Sequence, residues 1–340
     1  MKHNLRKLKL KQSPEKSVSP KLYQQIFQAT RTGFPALVLY FILGLFITSS
    51  LIIDPATAAI PTQPAPRILQ LGDNGDDPLS LPSDVAVHNN KIYVVDGLKH
   101  RIMVYKLEGQ FLFSFGSRGS QPGQFDSPVG IDAATDGRIY VADSGNKRIQ
   151  VFSDRGQFIS TFKLKLKNRL VRPVDLIRHS RTGNIIVSGS NHFLMSFSPQ
   201  GKLLGKWGGN GINEGEFRYP ATLSELNDGR IAVVDVLNSR VQVFNPDGSI
   251  SSVVGSWGVL PGQLFRPKGV AIDQRGNFYI SDSYMNVIQK FSDGGQFIAV
   301  LGHQGKPYSL LTPVGMTVYR NHLYVVEMRN HRVSVFQLTN

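Results

Sequence analysis

The chain has 340 residues, 41% hydrophobic and 18% charged, so it is neither disordered nor collagen-like and is long enough to bury a large core. It contains no cysteine, which excludes disulfides, thiol catalysis and every cysteine-ligated zinc or iron–sulfur centre. Its 38 Lys+Arg against 24 Asp+Glu leave a net charge of +14, and whether this points to nucleic acid or to an anionic surface depends on where the charge sits.

Half of it sits in a tail. Residues 1–33 carry Lys2, Arg6, Lys7, Lys9, Lys11, Lys16, Lys21 and Arg31 against Glu15, a balance of +7. Residues 34–53, FPALVLYFILGLFITSSLII, follow without a charge. As a helix rising ~1.5 Å per residue, such a run spans roughly the ~30 Å of a bilayer core. A buried core helix would show a polar face, and the basic flank obeys the positive-inside rule, so the pattern predicts a transmembrane signal anchor. The N-terminus is then cytoplasmic and everything after it extracytoplasmic. Ala56-Thr57-Ala58-Ala59 resembles a signal-peptidase site, and cleavage after Ala58 would release the remainder as a secreted protein. The apolar run is longer than the ~7–15 residues usual before such a site, which favours an uncleaved anchor. Residues 54–66, ending in the Pro-rich AIPTQPAP, read as a linker that holds the next domain off the membrane.

From Arg67 onward one pattern recurs. Pro82, Pro128, Pro173, Pro220, Pro267 and Pro313 each open an apolar run, at intervals of 45–47 residues. A residue ending the next run recurs in step: Asp96, Asp143, Ser188, Asp235, Asp282 and Glu327. Arg101, Arg148, Arg240 and Arg332 start the third run, with Phe193 and Val287 in the remaining units. Runs rich in Val, Ile, Phe and Tyr alternate with turns such as Asp136-Gly137, Asp228-Gly229 and Asp247-Gly248, so each unit reads as four short strands. Four strands per unit is a propeller blade, and six blades predict an all-β six-bladed β-propeller over residues 67–340. The repeats lie near 82–125, 128–162, 173–217, 220–264, 267–302 and 313–338. The last lacks a fourth strand while 67–72 is a surplus one, so the N-terminal strand is expected to complete the blade begun at Pro313. Five junctions carry G-x-x-G: Gly72/Gly75, Gly116/Gly119, Gly208/Gly211, Gly255/Gly258 and Gly302/Gly305. Because these recur with the period, they read as turn devices and not as a phosphate cradle.

Residues 128–162 and 267–302 show the pattern best: P-x-G-[VI], then IYVAD-x-x-N-x-R-I-Q-V-F, then G-x-F and G-x-x-G. In these motifs the chain resembles the NHL-repeat β-propeller family over about residues 67–338. The resemblance implies the fold more than the activity. The family includes RNA- and protein-binding modules of tripartite-motif ubiquitin ligases, extracytoplasmic sensor domains of bacterial membrane kinases and a zinc-dependent peptidyl lyase. Ligase activity does not transfer, since the zinc domains of that branch need cysteine, and no kinase sequence is present.

The repeated trios Asp143/Asn146/Arg148, Asp235/Asn238/Arg240 and Glu327/Asn330/Arg332 serve every blade alike and are read as structural. Departures from the repeat are the better binding candidates. After blade two the Gly-rich loop gives way to Lys163, Lys165, Lys167 and Arg169, followed by Arg172. Strand alternation would place the three lysines on one face, suited to phosphates, acidic glycans or lipid headgroups; the competing reading is an edge strand whose lysines block aggregation. The innermost strands carry Asp84, Asp132, Asp175, Arg178 and Glu225, and Arg178 and Glu225 occupy one position in adjacent blades, where they could pair. A small-ligand site at the channel mouth is the sharper alternative. His100, His192 and His331 share one loop position, but zinc needs ligands converging to ~2 Å, which loops around a ring seldom provide. Asp73-Asn74-Gly75-Asp76-Asp77 departs from calcium-loop spacing and reads as a turn. The chain has no HExxH, G-x-S-x-G or P-loop, so no catalytic residue, metal or cofactor is assigned. The expectation is a membrane-anchored extracytoplasmic propeller that binds a protein or acidic glycan partner; the alternative is a metal-dependent extracytoplasmic lyase or lactonase-like hydrolase working at the channel. An extracytoplasmic propeller does not meet RNA, so nucleic acid is not implied by the charge.

Overall fold

The computed structural model describes residues 60–339 except 73, 74 and 76. The basic tail, the apolar run 34–53 and the candidate cleavage site after Ala58 lie outside the described residues, as do Asp73, Asn74 and Asp76. Among the described residues no helix is long and apolar enough to cross a membrane.

The described chain is an all-β six-bladed propeller. The inner strands of blades one to six are Pro82–His88, Pro128–Ala133, Pro173–Arg178, Pro220–Glu225, Pro267–Ile272 and Pro313–Tyr319. Each packs against the next, and that of blade six packs against that of blade one, so they line a closed ring. The second strands are unbroken apolar runs because neighbouring blades cover both of their faces: in Ile139–Asp143 every residue is buried. One face of blade two, with Tyr140 and Val151, meets Leu176, Val187, Met195 and Phe197 of blade three in a shared core. The outer strands lose this cover, and Phe158–Lys163 of blade two is almost wholly exposed.

Blade six takes its outer strand from the other end of the described chain. Arg67–Leu71 pairs antiparallel with Arg332–Gln337, Arg67 opposite Phe336 and Leu71 opposite Val333. In the segment before it, read as a linker over 54–66, the described residues 61–65 are paired with blade five. Thr62–Pro64 runs parallel to Phe297–His303, the outer strand of blade five, with Thr62 opposite Val300. Val300 N–H donates to the Pro61 carbonyl at 2.8 Å and Ala65 N–H to the Gly302 carbonyl at 3.0 Å. Prolines are tolerated here because an edge strand presents its backbone groups alternately, and Pro61 and Pro64 are not asked to donate. The Tyr308 hydroxyl donates to the Ala65 carbonyl at 3.1 Å and the Thr339 hydroxyl to that of Pro64 at 2.9 Å. The Arg67 guanidinium lies 5.2 Å from the Tyr308 ring centre, 5.3 Å from that of Phe336 and 3.7 Å from the Glu327 carboxylate.

Blade three corrects one alignment. Pro128, Pro220 and Pro267 pair with Asp143, Asp235 and Asp282, but Pro173 pairs with Gly189. The turn after its inner strand is one residue longer: His179 N–H reaches the Asn184 carbonyl, where Ala134 N–H reaches that of Arg138 in blade two. Gly189, not Ser188, therefore stands at the acid position. The Ser188 hydroxyl donates to the Ala221 carbonyl at 2.8 Å, as that of Ser281 does to Val314 at 3.0 Å.

Leu71 is 3% exposed in the core shared by blades one and six, whereas Ile68 on the same strand is 50% exposed. Leu71→Ala is expected to cost about 2–5 kcal/mol. Ile68→Ala should stay within about 0.5 kcal/mol of the parent, as surface substitutions do. Urea unfolding midpoints of the two variants check this.

Candidate functional site

The repeated acid–Arg pairs fasten loops. In blade two the Asp143 carboxylate accepts from Arg148 Nε at 2.7 Å, from Asn146 Nδ2 at 2.9 Å and from Asp126 N–H at 2.8 Å. Arg148 donates onward to the carbonyls of Ser120, Gln121 and Gln124, so one buried pair holds the whole loop that leads into its blade. Asp96–Arg101 and Asp235–Arg240 at 2.9 Å, and Glu327–Arg332 at 3.0 Å, repeat the pairing. Burial works to raise the Glu327 carboxyl, but hydrogen bonds from Arg332, Ser334 and Asn330 outweigh it and hold the group below the usual range. The histidines of the shared loop position also fasten loops. Nδ1 of His100, His192 and His331 accepts from the backbone of Ser127, Tyr219 and Leu81, at 3.0, 3.2 and 3.1 Å, each on the following blade.

Blade three lacks this fastening. Gly189 and Phe193 take the acid and arginine positions. The Gly-rich loop is replaced by a hairpin in which Lys165–Leu166 pairs with Arg169–Leu170. In the other five blades the residue three before the proline is a buried plug: Leu79, Phe125, Phe217, Leu264 and Leu310. In blade three that residue is Leu170, 43% exposed, and Leu164 is buried instead. Burial alternates as the spacing predicts, with Leu164 inward and Lys163, Lys165 and Lys167 exposed, but the three lysines fall in different elements. Lys163 ends the outer strand of blade two opposite Arg148, Lys165 belongs to the hairpin and Lys167 sits in its turn at φ 45°. Lys163, Lys165, Lys167, Arg169 and Arg172 are all exposed. Lys167 and Arg169 line an open groove of about 770 Å³ floored by Leu166, Leu170 and Phe193. The groove adds a residue that the sequence reasoning missed. Lys206, from the outer strand Leu203–Gly208, places its ammonium 4.0 Å from the Phe193 ring centre. Lys167, Arg169 and Lys206 have no acidic partner among the described residues.

The channel residues form a second, more enclosed group. Asp84, Asp132, Asp175, Arg178 and Glu225 line a cavity of about 220 Å³. Each aspartate commits one oxygen to the next blade, accepting from Ile131, Arg178 and Leu223 N–H at 2.9, 2.7 and 2.8 Å respectively. Asp84 and Asp175 also lie across Gly315 and Gly130 of the preceding blades, where any Cβ would collide with their second oxygens. Burial pushes the Asp84 carboxyl up to about 7 and that of Asp132 to about 6. Asp175 is raised well above its usual range by burial and by facing Asp84, and its Oδ1 has no hydrogen-bond partner. Arg178 and Glu225 do not pair. Arg178 reaches back to Asp136 at 3.5 Å, while Glu225 accepts from Ser180 N–H at 2.7 Å and lies 3.7 Å from His179 Nε2. The longer blade-three turn carries His179 and Ser180, which take the Glu225 carboxylate instead.

Among the described residues no three His, Asp or Glu side chains gather so as to hold a metal ion. The channel aspartates each spend an oxygen on a backbone N–H, and the three histidines spend Nδ1 in the same way on separate loops.

The family model DUF5128, described as a 6-bladed beta-propeller, matches residues 69–178, from the closing strand to the inner strand of blade three. No curated protein matches the chain. Among solved structures, virginiamycin B lyase from Staphylococcus aureus aligns at a TM-score of 0.57 and 12% identity, over 80% of this chain and 99% of that one. A gluconolactonase from Xanthomonas campestris aligns at a TM-score of 0.59 and 16% identity, over 84% and 99%. A protein of unknown function from Bacteroides caccae aligns at 0.52 and 16%, over 69% and 85%. At these identities the likeness is one of fold.

Two predictions follow from the buried acids. Arg148→Ala leaves Asp143 buried without its cation and is expected to cost about 3–5 kcal/mol, measured by urea unfolding. The folded Asp84 carboxyl titrates near 7, against roughly 3.9 in an unfolded chain, so the folded state binds its proton more tightly. Its contribution is complete below about pH 4 and is lost as pH rises through about 7. Asp84→Asn keeps an acceptor for Ile131 N–H and removes the titration. Its melting temperature should fall less steeply than the parent's from pH 4 to 8 and exceed the parent's at pH 8.

Proposed function

We propose that the chain is a binding module of NHL type, tethered to a membrane by residues 34–53 with its propeller on the extracytoplasmic side, and that it engages an acidic protein or glycan partner through blade three. One observation carries this reading. In the one described blade that lacks both the acid and the arginine, a groove lined by Leu166, Leu170 and Phe193 opens beside Lys167, Arg169 and Lys206, none of which has an acidic partner among the described residues. Everywhere else the charged repeat residues already serve the fold, so they are not at the disposal of a ligand. A groove of this size lies within the usual ligand-site range of roughly 300–1,000 Å³, and cations around an apolar floor select an anion with an apolar side.

The enzyme alternative draws support from the acid-lined channel cavity and from the fold shared with a lyase and a gluconolactonase. Elemental analysis separates the two. Stoichiometric metal in the purified full-length chain, lost in Asp175→Asn, would replace the binding reading with the enzymatic one.

Binding of the detergent-solubilised full-length chain to immobilised polyglutamate and to polygalacturonate tests the proposal. The triple variant Lys167→Glu, Arg169→Glu, Lys206→Glu is expected to bind at least one of them tenfold or more weakly than the parent, and raising the salt should weaken the parent too. An alkaline phosphatase fused after Asn340 should be active outside the cytoplasm; an inactive but expressed fusion would overturn the topology.

A further inference from the structure

The groove of blade three adjoins an open sheet edge, and blade five shows what such an edge can hold. There an extended segment, Thr62–Pro64, lies parallel along the outer strand and is gripped through Val300 N–H and the Gly302 carbonyl. Strand register carries those two positions to blade three. Phe291 pairs with Phe297 and Phe197 with Leu203, so Val300 corresponds to Lys206 and Gly302 to Gly208. Among the described residues no strand pairs with the outer side of Leu203–Gly208, and Leu204 on it is 52% exposed. An uncovered edge of this kind is a template for strand addition.

We infer that the edge of blade three at Lys206–Gly208 is a strand-addition site for an extended acidic segment of a protein partner. The inference rests on the binding reading above and specifies its ligand. Charge decides between blades: the residue corresponding to Lys206 is Ser114 in blade one, Thr161 in blade two and Val253 in blade four. At this register position blade three alone carries a cation, Gln70 standing there in blade six, and Lys167 and Arg169 lie beside it across the groove; in blade two Lys163 stands two residues further along the edge. A peptide strand laid along this edge alternates its side chains. Those on the groove side meet the three cations, which an acidic side chain at every second position would satisfy. A polysaccharide could neutralise the same cations but would leave the strand's outward backbone groups unpaired, so the edge favours a peptide.

The test uses a fluorescein-labelled decapeptide of alternating Val and Glu, its Val/Lys counterpart and polygalacturonate, with the full-length chain in detergent. The Val/Glu peptide should bind at least tenfold more tightly than the Val/Lys peptide. Its binding should slow hydrogen exchange at the amides of Lys206 and Gly208. Lys206→Met, which keeps the amide, should weaken binding about tenfold; Lys206→Pro, which removes it, should abolish binding. Should the proline variant fail to fold, the exchange measurement on the parent decides alone. Binding of the Val/Glu peptide without protection of those amides would overturn strand addition. Polygalacturonate binding with no peptide binding would overturn it as well and leave the binding-module reading in place. Binding of neither acidic probe would remove both.

Discussion

The fold depends on closing a ring whose wedges cannot stand alone. Each blade is apolar on both faces of its middle strands, so each needs two neighbours, and a linear array would leave two such faces in water. Pairing Arg67–Leu71 with Arg332–Gln337 removes that exposure by making one blade from both ends of the described chain. The closure is strengthened from outside by Thr62–Pro64 on blade five and by the Arg67 guanidinium set between Tyr308, Phe336 and Glu327. The segment thus ties the last two blades together as well as completing one of them.

Within the ring, charge is used in two ways that composition alone cannot tell apart. Buried acids paired with arginines hold the loops between blades, and buried aspartates without cations accept backbone N–H groups across blade boundaries on the axis. Both kinds are consumed by the structure. What remains for recognition is charge that no neighbour uses, and in blade three that charge gathers where a loop fastener is missing. The functional candidate is thus defined by subtraction from the repeat.

Much of this was legible in the residues. The proline spacing marks the blades, and the missing fourth strand at the end of the chain answers the surplus one at Arg67. The break at Lys163–Arg172 stands out against the period for the same reason. Other features needed coordinates. The extra residue in the His179–Asn184 turn shifts the register by one, so spacing from the proline put Ser188 where Gly189 stands. Lys163, Lys165 and Lys167 stay exposed around the inward Leu164 and Leu166, as alternation predicts, but they belong to an outer strand, a hairpin strand and its turn, a division that the spacing does not show. Lys206 lies far from the basic cluster in sequence and joins it only through the pairing of blade three's outer strand. Two signals were available and carried more than was read from them. Leu170 falls at the plug position yet belongs to the basic hairpin, and glycine alternates with aspartate two residues after the proline, at Gly130 and Gly315 against Asp84 and Asp175.

The clasp also sets an order of events during synthesis. Pro64 and Thr339, which touch in the finished ring, are separated by 275 residues. On a chain emerging from the ribosome, blades one to five have all four of their own strands well before Arg332–Gln337 exists, while Arg67–Leu71 has no partner to pair with. Loop closure over such a distance comes late and is slow relative to local hairpins. The nascent protein therefore passes through a stage with an open ring and an unpaired apolar strand at its leading end, which is the stage most exposed to pairing with another chain.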